Sequence, residues 1–346
     1  MFKAIDRKII MNICMLALCL LFIFLASIDE SFAFLSFMSI IPIVLIGMEA
    51  NILFSTSAAI VLCALSFLMG DLQFAFLSSF VYILPSFVSG ICMANETHIS
   101  VDKLKFRLKF KKGDVLYKFA SLKTFLLSIA FFAIGSLLYT AILKYNLGLD
   151  LVKNLHMDIA TILDLYKKNL SAQEYTTIKE SGLIDFLSDS SSLYLLITYI
   201  KSIIMALVAY YLCISLSRFL YKEKIHNIKI DSIYLPGRPV LVLLVTIIVL
   251  YAIDLSLPNL DLISVINNFI LIMNLLFFLE GASLIVFLIK NWKFVKREAN
   301  MLIIFVVVVF MGILPGIAIL GMLDNMLNYR NRWYSDKEIG GDRYGK

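Results

Sequence analysis

The sequence predicts an all-α fold, a polytopic helical membrane bundle of eight to nine transmembrane helices with one amphipathic extracytoplasmic segment. Hydrophobic residues make up 61% of the 346 positions and charged residues only 16%, whereas soluble domains are ~45–50% apolar and ~25% charged. The apolar residues form blocks close to the ~20 residues that cross a hydrocarbon core. These blocks do not alternate in polarity, which excludes the ~10-residue strands of a membrane β-barrel.

Nine blocks are candidates for membrane-crossing helices, although the seventh is short and the ninth is interrupted by a proline. They are residues 9–27, 31–49, 52–70, 74–94, 119–143, 193–216, 240–253, 263–289 and 301–323. The first block is longer than the ~7–15 apolar residues of a secretory signal, so we expect it to be the first span.

The blocks predict one integral membrane domain over residues 1–346. Its parts are the first four helices with a basic cytoplasmic loop (1–118), helices five and six with the outer segment 144–190 (119–238), the last helices (239–327) and a polar tail (328–346). The outer segment carries apolar residues at helical spacing, which predicts one or two amphipathic helices on the membrane surface.

The distribution of charge predicts the orientation of the chain. Basic connections lie at 96–118, 217–238 and 290–298. The alternate connections are acidic, with Asp29 and Asp71 in the first two and Asp254 and Asp261 in the last. Lys and Arg in short loops near the ends of spans stay in the cytoplasm, so we expect a cytoplasmic N-terminus. Two alternatives stay open for the C-terminal tail. A straight ninth helix kinked at Pro315 leaves it outside, and a re-entrant segment turning at Pro315 and Gly316 returns it inside.

One basic run within the loop after the fourth helix has a two-residue period. Its charged members are Lys103, Lys105, Arg107, Lys109, Lys111 and Lys112. In an extended segment this spacing places most of the charges on one face, where anionic lipid contributes ~1 kcal/mol per basic residue. We expect the run to lie on membrane lipids, and a loop that only sets the topology is the simpler alternative. No recognition motif accompanies it, so no nucleic acid partner is expected.

Two ionisable residues, Lys201 and Glu280, fall inside predicted spans. Insertion of such groups costs at least ~2.5–3.5 kcal/mol, so they mark candidate substrate or proton sites. Glu280 is the stronger candidate, with Asn274 on the same helix. A Lys201–Glu280 pair, a Lys201 that reaches toward the membrane surface and a protonated Glu280 bonded within the bundle all stay open.

Small residues in the last two blocks predict close helix packing. Asn267, Asn274 and Gly281 recur every seven residues, and Gly312 and Gly316 form a GxxxG pattern beside Pro315. Such patterns let two helix backbones approach closely, either inside the chain or between copies of it.

The sequence gives no support for an enzyme, a metal site or a cofactor. It contains no HExxH, GxSxG or P-loop motif. The five cysteines all lie in predicted spans without a CxxC pair, and the three histidines are scattered over three connections. Because a nucleotide-binding motif is missing, any ATP-driven transport would need a separate energising module as a partner.

Motifs in the second half resemble the YybS-like family of bacterial multi-pass membrane proteins. They are the segment from Phe277 to Lys290, the pattern Leu320-Gly-Met-Leu-Asp324 followed by Asn328-Tyr-Arg330, and Tyr234-Leu-Pro-Gly-Arg238. The first half is similar in Pro42, Gly47, Pro85 and Gly90. The resemblance singles out Gly321, Asp324 and Arg330, whereas Glu280 stands where the family is expected to carry an uncharged polar residue.

This resemblance implies a location in the bacterial cytoplasmic (inner) membrane. It also implies a first half similar to the substrate-binding S-components of vitamin transporters. We therefore expect a small-molecule binding or transport subunit whose ligand is unknown. The alternative is a membrane scaffold for cell-envelope or division machinery, with other membrane proteins as partners. Fold analogy alone does not decide between them.

Overall fold

The computed structural model describes residues 2–94, 118–119, 122–169, 184, 187, 190–221, 225–226, 230, 233–235, 238–256, 262–290, 313–327 and 330. The chain forms two compact units, Met1–Asn227 and Ile228–Lys346. The sequence predicts one integral membrane domain over 1–346, and the boundary between the units falls inside it.

The described part of the first unit is almost entirely helical. Its helices are α1 (Phe2–Ile28), α2 (Phe34–Glu49), α3 (Ile52–Met69), α4 (Leu72–Ala94), α5 (Leu122–Asn146), α6 (Leu151–Asn169) and α7 (Ser190–Leu207, continuing through Cys213–Tyr221). A 3-10 turn at Glu30–Phe32 precedes α2, and π-helical stretches interrupt α4 at Leu77–Ile83 and α7 at Val208–Leu212. The two-residue strands β1 (Lys118–Phe119) and β2 (Ile225–His226) pair in parallel.

Side-chain caps fix where several of these helices begin. Asn51 Oδ1 accepts a hydrogen bond from the Phe54 N–H at 2.8 Å, and Asp71 Oδ1 accepts one from the Phe74 N–H at 2.7 Å. Each cap satisfies a backbone donor that has no partner within its own helix. Because the capping residue itself starts each new helix, α3 and α4 begin directly after short connections.

The amphipathic helix α6 confirms the helix predicted in segment 144–190, of which residues 170–183, 185–186 and 188–189 lie outside the described part. Asp150 caps its start by accepting the N–H groups of Val152 and Lys153 at 3.1 and 3.2 Å. The Lys144 ammonium lies 3.0 Å from Asp150 Oδ2. This hydrogen bond, together with the Lys153 N–H, lowers the pKa of Asp150 from its ordinary value of 3.8.

The second unit contains three described helices, α8 (Pro239–Ser256), α9 (Leu262–Lys290) and α10 (Ile313–Leu327). Pro239 opens α8 and Pro315 lies in the first turn of α10. A proline is tolerated at the start of α8 because the N–H that it lacks would have no intrahelical acceptor. Gly316 is buried in α10, and Gly312 lies outside the described residues.

The prediction of an all-α membrane bundle is confirmed. Six described helices are long and apolar enough to cross a membrane, and shorter apolar helices lie at Phe34–Glu49, Pro239–Leu255 and Pro315–Leu327. Each of these nine segments overlaps one of the nine predicted blocks, although residues 301–312 of the ninth block lie outside the described residues. Many large apolar side chains point outward, including Leu53, Leu68 and Ile248. Exposed apolar surface on this scale is typical of lipid-facing helices.

Small residues let the helices of the first unit pack closely. Its buried core cluster comprises Cys19, Ile23, Ile43, Ala59, Leu62 and Ile83. A Cβ atom at Gly47 would lie 3.0 Å from the Phe87 carbonyl oxygen, so the backbones of α2 and α4 are in direct contact there. All five cysteines lie in the described residues, and none of them forms a disulfide there.

Candidate functional site

Two glycines bring α9 and α10 into backbone contact in the second unit. A Cβ atom at Gly281 would overlap the carbonyl oxygen of Ile317, and one at Gly321 would overlap the carbonyl oxygen of Phe277. Each helix therefore has a glycine where the other helix passes. The contact forms because neither position carries a side chain.

The same helical spacing brings acidic residues into this contact. On α9, Phe277, Glu280, Gly281 and Leu284 are all buried, and on α10 Leu320, Gly321 and Asp324 are buried. On α9, helical spacing places Phe277, Gly281 and Leu284 on one face, and Glu280 directly precedes Gly281. On α10, Gly321 and Asp324 are three residues apart and lie on one face.

Arg330 connects the two acids. Its Nε and Nη2 atoms lie 2.7 and 2.6 Å from Asp324 Oδ2, and Nη1 donates to Ser283 Oγ at 2.8 Å. Nη2 also lies 3.9 Å from Glu280 Oε1. The guanidinium group is thus close to Asp324 and interacts with Glu280 at longer range.

Asn325 and the segment before α8 complete the cluster. Asn325 Nδ2 donates to the Leu235 carbonyl oxygen at 3.1 Å and lies 3.4 Å from Glu280 Oε1. The Tyr234 hydroxyl donates to the Asn325 carbonyl oxygen at 3.3 Å, and the guanidinium carbon of Arg330 lies 5.5 Å from the centre of the Tyr234 ring. These contacts fix the segment 233–235 against α10.

The cluster is buried, and among the residues that the structure describes it contains two acidic groups and one basic group. The side chains of Glu280 and Asp324 are both 0% exposed, and that of Arg330 is 5% exposed. Glu280 Oε2 and Asp324 Oδ1 are buried without a hydrogen-bond partner in the part of the chain that the structure describes. Two carboxylates beside one guanidinium carry one negative charge more than the guanidinium neutralises. A proton or the cationic group of a ligand can balance that charge.

The other predicted site residues lie elsewhere. Lys201 belongs to the first unit, where its ammonium lies 5.5 Å from the centre of the Tyr82 ring. Asn274 is on α9 but is exposed, unlike Glu280. The basic run from Lys103 to Lys112 lies outside the described residues. No group of three or more potential metal-ligating side chains occurs among the residues that the structure describes.

Three members of the cluster, Tyr234, Ser283 and Asn325, were not predicted as site residues, although Tyr234 begins one of the motifs that carry the family resemblance. Ser283 follows Glu280 by three positions, so helical spacing was a signal that could have found it. Asn325 adjoins Asp324, but a buried asparagine beside an acid has no distinctive pattern. Tyr234 comes from a connection, and no sequence periodicity predicts which helix a connection packs against.

The fold and the cluster define a helical integral membrane protein with a buried ionic cluster between two of its helices. The chain belongs to the family described as predicted membrane protein (DUF2232), whose sequence model matches residues 113–325. Glu280, Asp324 and Asn325 lie inside the match, and Arg330 lies just beyond its end. No curated protein and no solved structure matches the chain.

Proposed function

We propose that this protein is a small-molecule binding or transport subunit of the bacterial cytoplasmic membrane, with its N-terminus in the cytoplasm. A cationic group of the ligand pairs with the Glu280 carboxylate, beside Asp324 and Arg330. Resemblance to the YybS-like family and to S-components supports this role. The alternation of basic and acidic connections supports the orientation.

The excess of carboxyl groups at the buried cluster is the observation that carries the proposal. Glu280 lies near the middle of the span Val265–Lys290, where an ionised side chain is costly unless it has a function or a partner. Arg330 already has a short contact with Asp324 Oδ2, and its contact with Glu280 is 3.9 Å. A ligand ammonium or a proton on Glu280 balances the charge that Arg330 leaves unbalanced.

This arrangement favours exchange of a proton for a cationic ligand. With no ligand, a proton on Glu280 keeps the cluster electrically neutral. When a cationic ligand binds, Glu280 releases the proton and its carboxylate pairs with the ligand. Since the sequence contains no P-loop, energy from ATP would come from a separate module that docks on this subunit.

The test measures small molecules that co-purify with the full-length protein. Wild type, Glu280→Gln and Asp158→Asn are purified in mild detergent and denatured, and the released compounds are identified by mass spectrometry. Wild type should release a cationic compound, and Glu280→Gln should release about tenfold less because it loses a charge-assisted contact. Asp158 is an exposed acid on α6, so its variant should retain the compound.

Two outcomes contradict this function. One is equal release of the compound by Glu280→Gln and wild type, and the other is release of no small molecule by any of the three proteins. Either result favours the alternative of a membrane scaffold, which uses the basic run from Lys103 to Lys112 and other membrane proteins as partners.

A further inference from the structure

A second polar site lies in the first unit, where the ends of several helices meet. It is a pocket of about 320 Å³ lined by Lys8, Ile9, Asn12, Glu49, Ala50, Asn51 and Phe54. None of these residues belongs to the cluster around Glu280. The pocket combines an acid, a base and an amide with apolar side chains.

Glu49 is the buried anchor of this pocket. Its side chain is only 1% exposed, and the Oε1 atom accepts a hydrogen bond from Ser217 Oγ at 2.5 Å. The Oε2 atom lies 3.4 Å from Lys8 Nζ, and the Lys8 side chain is 42% exposed. The carboxylate is therefore held in place from α7, whereas the ammonium reaches it from the open side at a longer distance.

Asn12 is fixed in the same way. The Tyr221 hydroxyl donates to Asn12 Oδ1 at 2.7 Å, and both side chains are buried. With its oxygen bound to Tyr221, Asn12 has only its amide nitrogen left as a donor for a ligand. Ser217 and Tyr221 both lie near the end of α7, so one helix positions two of the polar side chains of the pocket, Glu49 and Asn12.

The pocket lies where lipid headgroups are expected. Lys8 begins the membrane-length segment Lys8–Ile28, Glu49 ends α2, and Asn51 caps α3. The ends of membrane-crossing helices lie at the level of the headgroups. Ile9 in the pocket and Ile52 and Leu53 beside it are exposed apolar side chains, which suit contact with the adjoining acyl chains.

We propose that this pocket binds the phosphoethanolamine group, as carried by phosphatidylethanolamine. The primary ammonium of the ligand donates hydrogen bonds to Glu49 in the place that Lys8 Nζ now occupies. Lys8, being half-exposed, turns to the phosphate. A trimethylated ammonium has no N–H to donate, so a choline headgroup loses the hydrogen bonds to Glu49.

Native mass spectrometry of the full-length protein in detergent tests the proposal. The probes are short-chain phosphatidylethanolamine, phosphatidylcholine with the same chains, and free phosphoethanolamine. Phosphatidylethanolamine should bind about tenfold more tightly than phosphatidylcholine, and Glu49→Gln should remove that preference. The exposed-acid control Asp158→Asn should keep it. If free phosphoethanolamine binds as tightly as the lipid, the site takes a soluble ligand. If free phosphoethanolamine binds more weakly than the lipid, the ligand is the lipid.

A second variant keeps the test decisive if Glu49→Gln fails to fold. Lys8→Met changes a half-exposed side chain and removes the contact with the phosphate, so it should weaken binding of both lipids. Equal affinity of wild type for the two lipids overturns the proposal, as does unchanged phosphatidylethanolamine binding by Glu49→Gln or by Lys8→Met. None of these measurements involves Glu280, so their outcome is independent of the proposed function.

Discussion

Replacing Arg330 by methionine is expected to destabilise the protein by about 3–5 kcal/mol, the range found when one partner of a buried ion pair is removed. The substitution keeps an unbranched side chain of moderate length, so little packing is lost. Asp324 loses its two short contacts with the guanidinium group and Ser283 loses a hydrogen bond. Thermal or denaturant unfolding of the purified protein in detergent measures the change.

Two further variants separate charge from packing in this experiment. Arg238→Met makes the same substitution at an exposed position and should change stability by about 0.5 kcal/mol or less. The double variant Arg330→Met with Asp324→Asn should recover part of the loss because it removes the uncompensated charge. Strict additivity of the two single effects would mean that the two side chains do not interact.

Replacing Gly281 by alanine is expected to cost about 3 kcal/mol, at the upper end of the range for overpacked cores. The added methyl group overlaps the carbonyl oxygen of Ile317, and a backbone atom cannot move aside as a flexible side chain can. The two helices must separate, which also pulls Glu280 away from Asn325 and Arg330. Unfolding and release of the co-purified compound should therefore both change.

The reciprocal variant Gly321→Ala should have a similar effect, because its methyl group overlaps the carbonyl oxygen of Phe277. Val265→Ile is the matched control, since it adds one methyl group to an exposed side chain on the same helix. If Gly281→Ala is as stable as Val265→Ile, then α9 and α10 are not in backbone contact.

The positions of the apolar helices in the described part of the chain could be read from the sequence because lipid imposes a length on each apolar segment. The seventh block is short, and the helix that corresponds to it, α8, is among the shorter apolar helices. The π-helical stretches in α4 and α7 were not predicted. A π-helical stretch fits an extra residue into a turn of the helix without changing the apolar composition, so the hydropathy profile does not reveal it.

The candidate site was predicted only in part. Glu280 stood out because an acid inside an apolar span is rare, and the resemblance singled out Gly321, Asp324 and Arg330. Nothing in the sequence predicted that these residues meet. Which helices pack together depends on side-chain shape along whole helix faces. A single sequence shows only which residues share a face, through their helical spacing. For the same reason, the spacing of Asn274 could not reveal that this residue is exposed.

Thermal unfolding of Glu280→Gln tests the central claim most directly. If Glu280 is retained for function and is neutralised by a proton when no ligand is bound, the amide keeps the cluster neutral while its oxygen still accepts from Asn325. The variant should then unfold at the same temperature as wild type or at a higher one. A fall in stability as large as that of Arg330→Met would contradict the claim, because it would make Glu280 a structural partner of the arginine.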